Sequence, residues 1–458
     1  MKLNYKRTIF VGFAFFLISA FWQAYDAIVP LILTNHFGLS QDWSGAVMSL
    51  DNILAVFMLP LFGSLSDKSK SKHGRRTPFV FFGTVAAVIS FVVLTFVDNL
   101  QLARLSAEGI IGSEDAIERA LELTLADPST LISFLGVLLL VLVAMATFRS
   151  PAVALMPDVT IKPLRSKGNA IINLMGAAGG ILVLVLGMIF GTSKDKHMNY
   201  LWYVVAVVAI MLSGLIVFLL NVKEKKWAEE MEAETARLGL GEDDAATVTD
   251  SSRKLSRAEI VSLLLILASV ALWYIGYNSI TSKYSVYATN ELGFDFNLTL
   301  IIAQAAAIIS YIPVGIVASK IGRKKTILAG IVMLASAFLG GHFVTPTTSE
   351  LIMYPIFILA GMGWATINVN SFPMVVELAR GGDVGKYTGY YYTASMAAQI
   401  VAPTFSGMLY EAFGMRNVFF VFGTVFVAAS FVTMFFVRHG DSRPEAQGAL
   451  ESLGASDD

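Results

Sequence analysis

The chain has 458 residues, of which 55% are apolar and only 15% charged, and its mean hydropathy is +0.67. Soluble domains carry about 25% charged residues, so this composition indicates a polytopic membrane protein. The net charge of −1 gives no indication of nucleic-acid binding, and the absence of cysteine excludes disulfides, thiolate metal sites and cysteine nucleophiles.

Twelve segments are long and apolar enough to cross a bilayer, which takes about 20 residues each. The first follows Lys2, Lys6 and Arg7 and is too long for the apolar part of a signal peptide, so we interpret it as span 1. In chain order, spans 1 to 12 are predicted near 9–34, 43–65, 77–97, 131–155, 169–190, 200–221, 259–289, 297–318, 326–344, 351–371, 386–409 and 416–437.

A charged linker separates the first six spans from the last six. The predicted organisation is a six-helix bundle (1–221), a linker (222–257), a second six-helix bundle (258–438) and a tail (439–458). Of the 33 Lys and Arg residues, 26 fall on the side of the two chain ends and six on the other. By the positive-inside rule both ends face the cytoplasm.

The loop between spans 3 and 4, about 98–130, is predicted to lie outside the membrane. It carries seven acidic residues, and its stretch EDAIERALEL has the periodicity of a short amphipathic helix. We expect these charges to form a solvated surface.

Two similar polar phrases follow the second span of each half. GSLSDKSKSKHGRRT begins at Gly63, and GIVASKIGRKKT begins at Gly315. A second pair of matching segments follows spans 4 and 10, with an acid in each, Asp158 and Glu377. The sequence therefore predicts two parallel six-helix repeats, an arrangement found in secondary transporters.

The first phrase resembles the loop motif G-x-x-x-D-(R/K)-x-G-R-(R/K) of the major facilitator superfamily, with a four-residue insertion. The matching residues are Gly63, Asp67, Lys68, Gly74, Arg75 and Arg76. The insertion, followed by GRRTPF, resembles the sugar–cation symporters of the melibiose-type and sucrose-transporter groups. The resemblance implies an all-α membrane fold of twelve transmembrane helices in two pseudo-symmetric bundles, working by alternating access.

The phrases also predict a cytoplasmic gate. Asp67 at the end of span 2 is placed to pair with a cation of its own loop or across the seam between the halves, and Gly63 allows close helix approach. In the family, such pairs hold the inward side shut and break as the halves move. The alternative is that the loops only fix topology. The gate residues are Gly63, Asp67, Arg75, Arg76, Asp158, Lys320, Arg323 and Glu377.

Three ionisable residues lie inside predicted spans: Asp26, Asp51 and Arg149. Each costs about 2.5–3.5 kcal/mol at a helix centre, and such residues usually face a bundle interior. Asp26 and Asp51 lie at the same depth, about 12 Å below the outer surface, so they are candidates for proton coupling. The alternative for both is a structural hydrogen bond. Arg149 either extends towards the inner surface or binds substrate or an acid in the cavity.

Sodium coupling is disfavoured by two positions in span 2. The melibiose-type group carries sodium-binding acids one and two turns nearer the loop than Asp51, where this chain has Ala55 and Leu59. This departure favours protons, and no metal site or cofactor is expected.

Aromatic and amide side chains concentrate on spans that line the central cavity in the family. Aromatic rings stack on the apolar faces of sugars, and amides bind their hydroxyls. The alternative for each aromatic residue is packing or membrane-interface anchoring. The predicted substrate-binding residues are Trp22, Gln23, Tyr25, Asn52, Arg149, Trp273, Tyr277, Asn278, Trp364, Asn368, Tyr391 and Gln399.

The sequence thus predicts a proton-coupled symporter of a sugar or glycoside, not an enzyme, which acts as a monomer in the plasma membrane. Its partners are a small solute, protons and the lipid bilayer. Two alternatives stay open: proton-coupled efflux of amphiphiles, and a non-transporting membrane sensor. No phosphate-binding loop or catalytic constellation is present in the sequence.

Overall fold

Every predicted span forms a helix in the computed structural model, which describes residues 3–161, 164–238, 256–378 and 384–439. The linker beyond residue 238 and the tail beyond residue 439 lie outside the described residues. The helices of spans 1 to 12 are Tyr5–Leu31, Gln41–Met48 with Leu50–Asp67, Thr77–Ala107, Ser129–Val159, Arg165–Phe190, Leu201–Asn221, Arg257–Thr281, Phe296–Ile321, Arg323–His342, Met353–Val376, Val384–Phe413 and Met415–Phe435.

Spans 1 and 7 both end in a π-helical segment, Ile32–His36 and Tyr287–Leu292. Of the described helices, eleven are long and apolar enough to cross a membrane. Span 11 is also long, at 30 residues, and contains the polar stretch GYYYTASMAAQ. The all-α fold with twelve spans is as predicted.

Local signals in the sequence set the helix ends. Ser256 and Glu259 form a reciprocal capping box at the start of span 7. Gly191 ends span 5 in the left-handed conformation that glycine adopts without a Cβ penalty. Both Gly-Arg phrases place their glycine at positive φ, +113° at Gly74 and +92° at Gly322. Both phrases therefore need glycine at this position, because the turn there requires a positive φ.

The two halves use equivalent helix packing. In the first half, span 1 packs against spans 5 and 6, span 4 against spans 2 and 3, and span 3 against span 6. In the second half, span 7 packs against spans 11 and 12, span 10 against spans 8 and 9, and span 9 against span 12. Adding six to each span number converts one set into the other, which is the pseudo-symmetry that the sequence repeat predicts.

We call the face of the molecule that carries the chain ends the terminal face, and the other face the opposite face. The two halves meet mainly at the opposite face. There span 2 packs closely on span 11, where a Cβ on Gly45 would lie 2.2 Å from the carbonyl oxygen of Pro403. Ser49 Oγ donates to the Ile400 carbonyl oxygen at 2.8 Å. These contacts join the two halves at the opposite face.

The structure corrects the interpretation of the loop between spans 3 and 4. Span 3 extends ten residues beyond its predicted end, to Ala107, so Asp98 is helical rather than part of a solvated loop. Asp98 is fully buried and its carboxylate pairs with His36 Nδ1 at 2.6 Å. The predicted amphipathic helix is present as Ala116–Ala126.

Candidate functional site

A cavity of about 450 Å³ lies between span 1 and spans 7, 8 and 10. This volume lies in the range of small-molecule sites, about 300–1,000 Å³. Five of the predicted substrate-binding or coupling residues line it: Gln23, Asp26, Tyr277, Asn278 and Trp364.

An aromatic platform forms one wall of the cavity. The rings of Tyr277 and Trp364 are stacked with centroids 3.7 Å apart and planes 7° from parallel, and Tyr274 meets Trp364 edge-on at 5.3 Å. The two rings come from spans 7 and 10, so helix packing assembles a surface that neither span has alone. Such a surface is suited to the C–H face of a sugar ring.

Span 1 contributes a carboxyl group to the lining of the same cavity. Asp26 lies within the span 1 helix, and its side chain is exposed to the cavity. Asp51 and Arg149 both lie within electrostatic range of it. Among the described residues, neither carboxyl forms an ion pair with Arg149 within 4 Å.

Arg149 points into the protein rather than towards the terminal face. Its guanidinium lies over the Trp22 ring, 5.5 Å from the centroid, and is within electrostatic range of Asp26 and Asp51. Arg149 therefore lies in the interior of the bundle rather than at the membrane surface, although it is not among the residues that line the 450 Å³ cavity. Asn52 donates from Nδ2 to Asp51 Oδ1 at 2.8 Å, which orients that carboxylate.

Three predicted contact residues are buried in helix packing instead. Tyr25 and Trp273 have no exposed surface, and Tyr391 is 3% exposed with its hydroxyl 2.9 Å from Ser371 Oγ. Each therefore contributes to the core in this structure, which corrects the expectation that they line the cavity. Asn368 and Gln399 are half-buried and lie outside the cavity lining.

The structure adds lining residues outside the predicted set. Gln304 of span 8 faces the cavity, and its Oε1 is buried without a hydrogen-bond partner. A polar side chain in the middle of an otherwise apolar span was the signal available in the sequence. The other polar additions are Thr281, Tyr284, Ser285 and Tyr311.

The predicted gate residues form ion pairs at the terminal face within each half. Arg75 Nη2 lies 2.7 Å from Asp158 Oδ1, and Arg76 Nε lies 2.8 Å from Asp158 Oδ2. The hydrogen bonds to Asp158 raise the pKa of Arg75 further above its ordinary value. Asp67 pairs with Arg76 of its own loop, so the across-seam alternative is not observed.

The second half has an ion pair at the equivalent position, formed by one arginine instead of two. Arg323 Nη1 lies 2.6 Å from Glu377 Oε2, the equivalents of Arg75 and Asp158. Lys320 is exposed and forms no ion pair with the residues that the structure describes. Gly63 lies close to span 4, since a Cβ there would be 2.9 Å from Ser150 Oγ.

Two equivalent helix bundles around a polar cavity that contains a carboxylate define a membrane transport protein. The chain belongs to the Major Facilitator Superfamily, whose family model matches residues 11–396 and 303–456. The fold is shared with the xylose transporter XylE from E. coli in an inward open conformation, at a TM-score of 0.66 over 98% of this chain and 99% of that one, with 13% identity.

The curated relatives match over shorter segments. The sucrose transport protein SUC4 of Arabidopsis thaliana is 27% identical over 35% of this chain and 29% of its own length. The putative glycoside/cation symporter YagG of Escherichia coli is 30% identical over 21% of this chain and 20% of its own. A multi-drug resistance efflux pump PmrA homolog of Lactococcus lactis is 35% identical over 18% of this chain and 20% of its own. The matched segments thus span less than a third of these relatives.

Proposed function

We propose that this protein is a proton-coupled symporter of a sugar or glycoside that works by alternating access. The observation that carries the proposal is the position of Asp26, which lines the same cavity as the Tyr277–Trp364 platform. Solute and proton would then bind in the same space. The relatives named as sucrose transport protein and as glycoside/cation symporter support the choice of solute.

The lining chemistry supports a polyhydroxylated solute. The stacked rings offer an apolar platform, while the amides of Gln23, Asn278 and Gln304 offer donors and acceptors for hydroxyl groups. None of the described residues that line the cavity is Lys or Arg, so this lining does not select for an anionic solute.

The charged cluster supports proton coupling. A carboxyl group can carry a proton through its site, and a second carboxyl together with a guanidinium tunes how readily it does so. In our proposal Asp26 carries the proton, while Asp51 and Arg149 set its affinity. At the two positions where the melibiose-type group has acids, Ala55 and Leu59 offer no ligand to sodium.

The test is uptake of labelled sugars into proteoliposomes under an imposed pH gradient. We expect accumulation by the wild type that a proton ionophore abolishes. Asp26→Asn should lose gradient-driven accumulation but keep sugar exchange at equilibrium, since exchange needs no net proton movement. Asp115→Asn, in the loop before the helix Ala116–Ala126, is the matched control. Full gradient-driven accumulation by Asp26→Asn contradicts the coupling role, whereas Asp51→Asn should only shift the pH dependence of accumulation.

Efflux of amphiphiles is the second candidate, because one relative is named as an efflux pump. The same proteoliposomes distinguish the two functions. A symporter moves sugar in the direction of proton flow, whereas an efflux antiporter moves an amphiphilic dye such as ethidium against it. A non-transporting sensor would move neither solute under any gradient.

The proposal places both chain ends in the cytoplasm of a monomer in the plasma membrane, with the terminal-face ion pairs as the gate. Because the chain lacks cysteine, single-cysteine variants report topology directly. An impermeant maleimide added to intact cells should label Ser113→Cys between spans 3 and 4 and spare Ser69→Cys in the loop after span 2. The reverse pattern contradicts this orientation.

A further inference from the structure

Lys283 is a buried lysine that the proposed transport mechanism does not use. Its side chain has no exposed surface, and its Nζ has no hydrogen-bond partner among the residues that the structure describes. It lies in a two-residue turn between the main helix of span 7, which ends at Thr281, and the short helix Tyr284–Val286. Taking an ammonium group out of water without an acceptor is strongly unfavourable, so the packing around Lys283 disfavours the charged form of its side chain.

The side chain lies beside span 11 at the opposite face. The carbonyl oxygen of Ser279, one helical turn before Lys283, accepts a hydrogen bond from the Tyr410 hydroxyl at 3.0 Å. The residue after Tyr410 is Glu411, which lies within electrostatic range of the Lys283 amine. Lys283 is therefore next to the stretch of span 11 that packs on span 2.

The contact between spans 2 and 11 covers this stretch. A Cβ on Gly407 would lie 2.8 Å from Asp42 Cα, and the backbone N–H of Gln41 donates to Glu411 Oε2 at 3.1 Å. Asp42 of the first half and Glu411 of the second are the charged groups that face Lys283 from these two spans, and neither forms a hydrogen bond with it. Both acidic residues reach the surface, whereas Lys283 does not.

Separation of spans 2 and 11 would change the surroundings of Lys283. Water would enter the seam, and the amine would become accessible between the carboxylates of Asp42 and Glu411. An ammonium group is stable in that setting, whereas it is not stable when dry and unpaired. The open seam therefore binds a proton at Lys283 that the closed seam does not hold. Because a lower pH favours the state that binds more protons, acid at this face should favour the open seam.

We propose that Lys283 is a proton-operated switch of the seam between the halves. It takes up a proton from the solution at the opposite face when spans 2 and 11 separate, and returns the proton to the same solution when they close. This proton does not cross the membrane, so the switch is distinct from coupling at Asp26. The inference rests on the alternating access of the proposed function.

The test is the distance between nitroxide labels on Ser113→Cys and Asn417→Cys, which lie in different halves at the opposite face, measured by pulsed electron paramagnetic resonance. The protein carries Asp26→Asn and Asp51→Asn throughout, so the proposed coupling groups do not contribute to the pH response. We expect the ratio of the long-distance to the short-distance population to rise as the pH falls, by up to about tenfold per pH unit, the limit for one linked proton.

Two substitutions of Lys283 should act in opposite directions. Lys283→Met removes the charge with little change in length, so the short distance should dominate at every pH. Lys283→Arg keeps its charge at every accessible pH, so the long distance should dominate at every pH. Lys194→Met removes an exposed lysine of the same face and is the matched control, which should keep the pH response of the unsubstituted background.

The outcomes separate this inference from the proposed function. A full pH response in Lys283→Met, a shift in the same direction in both Lys283 variants, or no pH response in the unsubstituted background overturns the switch and leaves transport standing. A single distance in every variant at every pH means that the halves do not separate at this seam. Alternating access then fails, and this inference fails with it.

Discussion

At the residue scale, helix phase decides whether an aromatic side chain serves the core or the cavity. In span 7 the buried positions Trp273, Gly276 and Ile280 follow the helical spacing of three and four, and Gly276 lies against span 12. Tyr274 and Tyr277 are each one residue further on, about 100° round the helix, and both contact Trp364, Tyr277 by stacking and Tyr274 edge-on. Composition alone does not distinguish these two faces.

This difference predicts opposite effects for two tryptophans. Trp364→Ala should weaken sugar binding by about tenfold or more, since half of the stacked platform is lost, with little change in the melting temperature. Trp273→Ala should cost about 3–5 kcal/mol of stability by leaving a large void in the core. Ligand titration and thermal unfolding in detergent measure the two effects, and the same response from both variants would refute the assignment.

A buried histidine–aspartate pair lies near the opposite face. His36 and Asp98 are both fully buried with 2.6 Å between Nδ1 and Oδ1, and the rings of His197 and Tyr200 stack on the imidazole at 6.0 and 5.8 Å. Burial lowers the pKa of His197, with the neighbouring His36 adding to the effect. The group ties the end of span 1 to span 3 and to the start of span 6.

Removing one member of this pair should be worse than removing both. Asp98→Ala is expected to cost about 3–5 kcal/mol, since a buried polar partner is left unsatisfied. The double variant His36→Leu with Asp98→Ala should recover part of that loss. A double-mutant cycle on thermal unfolding checks this, and additive losses would show that the two side chains do not interact.

At the element scale, the linker helix Glu224–Arg237 is fastened to the start of span 3. The Glu224 carboxylate is buried and accepts hydrogen bonds from the backbone N–H of Arg76 and Thr77 and from Thr77 Oγ1, at 2.7–2.8 Å. It thus caps a helix from a distant part of the chain and meets the positive end of the helix dipole. Gly74 makes room for it, since a Cβ there would lie 2.3 Å from Glu224.

Loss of this cap should release the linker helix. Glu224→Ala is expected to destabilise the fold by about 1–3 kcal/mol and to speed protease cleavage within Glu224–Arg237. Glu232→Ala, on the exposed side of the same helix, is the control that should change neither. Gly74→Ala should behave like Glu224→Ala. Equal cleavage of wild type and Glu224→Ala would show that the carboxylate does not hold the helix.

At the scale of the whole molecule, the contact between spans 2 and 11 closes the opposite face. Ser49 and Thr404 face each other across the seam, with 3.5 Å between their hydroxyl oxygens. Gly407 lies equally close to span 2, since a Cβ there would lie 2.3 Å from the carbonyl oxygen of Gln41. Alternating access requires this contact to break in each cycle.

Crosslinking should therefore stop transport reversibly. The double variant Ser49→Cys with Thr404→Cys, in a chain with no other cysteine, should lose flux on oxidation and regain it on reduction. The control is Ser269→Cys with Thr433→Cys, whose hydroxyl oxygens are 2.7 Å apart within the second half. Bundles that move as rigid units should tolerate the control crosslink. Undiminished flux through the oxidised Ser49–Thr404 pair would rule out opening at this seam.

The sequence by itself determined the number of spans, the repeat and the acids at matched depth. Apolar length, repeated phrases and helical rise are local properties that do not depend on which helix packs against which. That is why Asp26 and Asp51 could be paired, and why the equivalents of Arg75 and Asp158 could be recognised as Arg323 and Glu377.

Only the tertiary structure decided which side chains share a space. Burial of Tyr25, Trp273 and Tyr391 depends on neighbouring helices that are far away in the chain. The same holds for the burial of Asp98. Because Asp98 lies beyond the predicted end of span 3, the sequence predicted that it would be exposed. The fold of each span is encoded locally, whereas a cavity is the space left between spans, so its lining depends on how all of them pack.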